Sequence, residues 1–165
     1  MGADPFEGEE GAMRVWLAGW LFFCSSLAWG AEAETPRLQD VTVHLLFEHS
    51  GRVSDDVTSV KDFGSWNFMP FGTGVPDDQF RSFLIRLAFE VPSQRYEEGT
   101  VATVRLISEG KEPVFQQTLQ GMDFAKPPTN YAWIFVEGHV CEPVTLEVTS
   151  FGRVIKKDLP FACGE

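Results

Sequence analysis

The sequence predicts an all-β protein, a single two-sheet β-sandwich of about seven strands preceded by a signal peptide. Three observations carry this reading. Apolar residues alternate with polar ones at period two, turn residues interrupt these runs at intervals of about 8–14 residues, and no segment of the body of the chain has a convincing helical period.

The leader comes first. From Met13 the chain reads MRVWLAGWLFFCSSLAWGAEAETP: one arginine, an apolar run, then small residues. A cationic start, an apolar stretch of about 7–15 residues and a small-residue exit describe a secretory signal peptide. The run is shorter than the ~20 residues that span a bilayer. Residues 13–30 are therefore expected to be removed, with cleavage after Gly30 or Ala33, leaving no transmembrane segment and a periplasmic or secreted protein. Residues 1–12 carry Asp4, Glu7, Glu9 and Glu10, the wrong charge for such a start. They are expected to precede the true start at Met13 or to be a disordered extension.

Residues 31–165 then form one domain, a length that can bury its own core. They hold 12 basic and 20 acidic side chains, a formal charge of −8. No basic footprint for nucleic acid or an anionic membrane is visible.

The strands follow in order. Residues 41–48 put Val41, Val43, Leu45 and Phe47 on one face. Residues 82–91 do the same with Phe83, Ile85, Leu87, Phe89 and Val91, against Ser82, Arg86 and Glu90. Pro92 stops that strand, and YEEG (96–99) is expected to turn the chain. Strands at 100–108 and 114–119 come next. Pro127 and Pro128 make 121–130 a loop. Residues 131–137, YAWIFVE, are apolar at both parities and predict a central strand buried on two faces. Strands at 143–149 and 154–161 complete the set.

That last pair carries the cysteines. Removing the leader takes Cys24 and leaves Cys141 and Cys163. An even number in an exported chain favours a disulfide, and closing a loop of about 22 residues contributes about 3 kcal/mol. Bringing Val144, Leu146 and Val148 to the same face as Ile155, Leu159 and Phe161 requires paired residue numbers to sum to 303, with Phe151-Gly152 as a two-residue turn. The two cysteines would then face opposite ways, so a β-bulge at Pro143 or Pro160 is expected.

The layout resembles an immunoglobulin-type Greek-key domain. It departs from the antibody pattern in its short cysteine spacing and in Trp133, which precedes both cysteines. Shared layout implies no shared function.

Candidate chemistry is sparse. Residues 60–80 concentrate Phe63, Trp66, Phe68 and Phe71 among glycines and prolines. They form either a ligand-binding surface or an aromatic plug at one end of the sandwich. His44, His49 and His139 raise a metal-binding or enzymatic alternative. However, His-x-Cys needs Cys141 as a free thiolate, and His44 and Glu48 lie about 13 Å apart along a strand. Asp55-Asp56 and Asp77-Asp78 fit no calcium loop. No nucleophile elbow, zinc-protease or phosphate-loop motif occurs. The expectation is a non-catalytic, cofactor-free module that binds a protein or small ligand. Mass spectrometry of the exported protein should find alkylatable thiols at 141 and 163 only after reduction. Two reactive thiols in the native form would remove the disulfide.

Overall fold

Successive side chains of a strand point to opposite faces, and the long central strands here bury one of them. In β4, Phe80–Glu90, the inward residues Phe83, Ile85, Leu87 and Phe89 are all buried. The computed structural model describes residues 35–71, 78–110, 112–138 and 140–162. Within them, β1 (Arg37–Phe47), β4 and β7 (Thr129–Glu137) form a three-stranded antiparallel sheet in the order β1-β4-β7. A second antiparallel sheet has the order β6-β5-β8-β9, from β5 (Arg95–Ser108), β6 (Pro113–Phe124), β8 (Val144–Ser150) and β9 (Arg153–Leu159). Between β1 and β4 the chain makes a 3-10 turn at Val57–Ser59 and a short hairpin of β2 (Gly64–Trp66) and β3 (Met69–Phe71).

The apolar faces of the two sheets supply one continuous core, as in a β-sandwich. Phenylalanines dominate two regions of it. Phe161 packs against Phe63, Phe80 and Phe83, with ring centroids 6.1, 5.7 and 5.5 Å away. Phe89 and Phe124 meet at 5.5 Å, with Phe151 leaning on both. Polar ties cross between strands. Arg153 Nη1 donates to the Leu38 carbonyl at 2.6 Å, and the Ser150 hydroxyl donates to the Val101 carbonyl.

The β8–β9 hairpin has the expected register: Val144 pairs Leu159 and Val148 pairs Ile155. Phe151 and Gly152 form its turn with φ of 46° and 75°. Positive φ at both central residues suits the twist of a two-residue hairpin, and packing on Phe89 and Phe124 holds the phenylalanine in that conformation.

Four expectations change. The loop expected at 121–130 shrinks to 125–128, because β6 runs on to Phe124 and β7 begins at Thr129. No bulge forms at Pro143 or Pro160, because the ladder stops one residue short of each proline and the lost donor is never required. Residues 96–99 lie inside β5, where register shifts between Glu97 and Ala102 absorb Gly99, and the turn falls instead at 91–94. β7 is not central. It lies at the edge of its sheet with one face exposed. Replacing Phe161 by alanine should lower unfolding free energy by about 3–5 kcal/mol, the usual cost of a fully buried phenylalanine. Urea denaturation measures it, and a loss below about 1 kcal/mol would mean that the ring does not join the core.

Candidate binding face

On β7, Ala132, Ile134 and Val136 turn inward, which leaves Tyr131, Trp133 and Phe135 on the outer face, 54, 52 and 47% exposed. Period two spaces these rings about 7 Å apart along the strand. Single exposed apolar residues are ordinary, whereas a contiguous run of three aromatics is not. The register sets their neighbours. Tyr131 lies beside Ala88, Trp133 beside Arg86 and Phe135 beside Leu84; one strand further, Thr42 and His44 continue the Arg86 and Leu84 rows.

The Arg86 guanidinium carbon sits 5.3 Å from the Tyr131 ring centroid and 5.8 Å from that of Trp133. Cation–π attraction therefore holds this side chain across β7. Its Nε is buried without a hydrogen-bond partner, and Arg86 makes no ion pair among the described residues. The His44 ring lies 5.7 Å from Trp133. Its Nδ1 is 3.0 Å from the Ser54 carbonyl, which can only accept, so Nδ1 donates, and its Nε2 meets the Thr42 hydroxyl at 2.9 Å. These two hydrogen bonds hold the His44 ring as a wall of the face.

The two edges of this sheet differ. Along β1, the Val43 amide donates to Asp56 Oδ1 and the Leu45 amide to Ser54 Oγ, both at 2.9 Å, while Val53 bridges to Leu46. Asp56 also accepts from the Thr58 amide, capping the 3-10 turn. Residues 53–56 thus cover one edge. Along β7, no side chain among the described residues bonds to the strand's backbone, and Thr129–Val136 holds no charge, proline or bulge.

The aromatic residues expected at 60–80 occupy different surroundings. Phe63 is 8% exposed and packs edge-on to Phe161 as a plug. Phe68 meets Phe80 at 6.3 Å. Trp66 and Phe71 are exposed, at 57 and 56%, and the Phe71 ring lies across Gly64 where a Cβ would overlap it. The hairpin docks through its backbone, with the Ser65 and Asn67 amides donating to the Pro160 and Ala162 carbonyls. His49 lies in the exposed turn after β1, Cys141 in the connection before β8, and His139 and Cys163 outside the described residues.

The turn at 48–50 is clamped by Asp78, whose carboxylate accepts from the His49 and Ser50 amides and from the Ser50 hydroxyl. The Ser50 hydroxyl chiefly, with those amides, holds the Asp78 carboxyl below its ordinary 3.8 against the opposing effect of burial.

Three open clefts, of about 540, 450 and 340 Å³, line up no histidine or cysteine beside a nucleophile. Among the described residues no group of three His, Cys, Asp or Glu could hold a metal, and no helix is long and apolar enough to cross a membrane. The β7 face lies outside the sites expected from the sequence. The available signal was parity: in YAWIF the aromatic rings occupy every second position and smaller apolar residues the others. No family model matches the chain, and no curated protein matches it.

Replacing Asp56 by alanine strands the Val43 amide and should cost about 1–3 kcal/mol in urea denaturation; an unchanged midpoint would mean that water replaces the carboxylate. Asp78 has a lowered folded-state pKa, so its stabilisation is present above the unfolded value and lost as pH falls through the folded one. The gap in thermal midpoint between wild type and Asp78→Ala should therefore be open at about pH 6 and narrow towards about pH 2. A constant gap would contradict the clamp.

Proposed function

We propose that this chain is an exported, immunoglobulin-like Greek-key module that binds its ligand without catalysis, on the outer face of the β1-β4-β7 sheet. The observation that carries the reading is the run of exposed Tyr131, Trp133 and Phe135 beside a guanidinium that no carboxylate among the described residues neutralises. Aromatic rings and arginine are the side chains most enriched at recognition surfaces, where they supply large contact area at low entropic cost.

Strand order supports the fold reading. With β1, β4 and β7 as strands A, B and E, and β5, β8 and β9 as C, F and G, β6 takes the extra position beside C that variable-type domains use. The leader pattern at 13–30 supports export. Cys141 is bonded as half of a disulfide, which favours the Cys141–Cys163 pairing and an oxidising compartment.

The test is a binding screen of the full chain on peptide and glycan arrays, beside a variant carrying Tyr131→Ser, Trp133→Ser and Phe135→Ser. Surface changes of this kind typically cost within about 0.5 kcal/mol each, so the variant should stay folded by circular dichroism. Binding should drop at least tenfold. Hits equally strong in both proteins, or none in either, would refute the reading.

A further inference from the structure

We infer that the free edge of β7 accepts an extended acidic-apolar peptide segment as an added strand, and that Arg86 receives a carboxylate from it. This rests on the binding reading above and names the ligand's class.

Consider first the backbone. An edge strand exposes a row of unpaired amides and carbonyls, and proteins usually blunt it with charge, proline, a bulge or a covering segment. This chain does so at β1, with Asp56, Ser54 and Val53. β7 runs nine residues with an unbroken register against β4 and, among the described residues, has none of these devices before Glu137. An added strand would complete its hydrogen bonds, the mode by which sheet edges recognise extended peptides.

The side chains then restrict what that strand carries. Every second residue of an added strand shares the face of Tyr131, Trp133 and Phe135. Apolar residues at those positions would cover the rings, which are about half exposed at present. Arg86 supplies the charge preference. It belongs to β4, yet its guanidinium is held over the β7 rings, close to 5.3 and 5.8 Å from two of them. From there a strand laid about 4.8 Å beyond β7 is within reach of a glutamate side chain. The guanidinium makes no ion pair among the described residues, and covering the face would desolvate it, so an apolar strand without a carboxylate would leave a buried charge unpaired. Glu137 marks one end of the free edge and disfavours a second carboxylate beside it.

The probe is a capped nine-residue peptide, VTVTETVTV, whose valines and single glutamate share one face; the control is VTVTQTVTV. Both are titrated into the full chain by calorimetry and by amide chemical-shift mapping. The glutamate peptide should bind at least tenfold more tightly, with shift changes concentrated in residues 129–137. Arg86→Gln should erase the preference and Arg86→Lys should retain part of it. Because the decisive comparison is between two peptides on the unaltered protein, a poorly folding variant does not compromise it. Equal affinities, changes centred on β6 or β9, or absence of peptide binding would each overturn the inference. So would concentration-dependent dimerisation through β7, which would make a second copy the occupant. If the aromatic-face variant still loses glycan hits while neither peptide binds, the binding reading survives and only the strand-addition inference fails.

Discussion

Each sheet of this protein has one apolar face, and neither is stable until that face is covered by the other. The inward rows of β1 and β4 and those of β5 and β8 are almost wholly buried, and the phenylalanine groups around Phe161 and Phe89 fill the space between them. Everything on the surface follows from this constraint. Once alternation commits one parity of each strand to the core, the other parity is committed to water whatever residues stand there. On β7 those residues are Tyr131, Trp133 and Phe135.

A three-stranded sheet also has two edges, and this one treats them differently. The segment after β1 folds back so that a serine and an aspartate satisfy outward amides of Val43 and Leu45, with the same aspartate capping the following turn. Burial near Leu45 makes unsatisfied amides costly there. At β7 no described residue covers the edge, which lies next to the exposed rings of Tyr131, Trp133 and Phe135. Polar satisfaction at one edge and, among the described residues, its absence at the other make the two sides of the sheet unequal.

How much of this was legible in the sequence depended on whether the information was local. From Phe83 to Phe89 every odd-numbered residue is a large apolar one and Arg86 marks the other parity, which is enough to predict both the strand and its buried face. The β8–β9 register followed from the need to bring Val148 and Ile155 together, and its two-residue turn follows with it. Where the decisive fact was spatial, reading failed. Nothing local tells an outer from a central strand when both parities are apolar, so YAWIFVE predicts a two-sided core strand. The covering of β1 by Asp56 depends on a chain reversal thirteen residues after Val43. Arg86 read only as a polar outward residue, since its aromatic neighbours lie on a strand more than forty residues away. The aromatic segment at 60–80 looked like one feature, but the fold buries Phe63 and leaves Trp66 and Phe71 exposed.

The central claim is that β1 is a closed edge and β7 an open one, and native-state amide hydrogen exchange on the full chain tests it most directly. The outward amides of Val43 and Leu45 should exchange as slowly as core amides, whereas every second amide across residues 129–137 should exchange far faster than its neighbours that bond to β4. Uniformly slow exchange along β7 in the monomer, or fast exchange at Val43 and Leu45, would contradict the account.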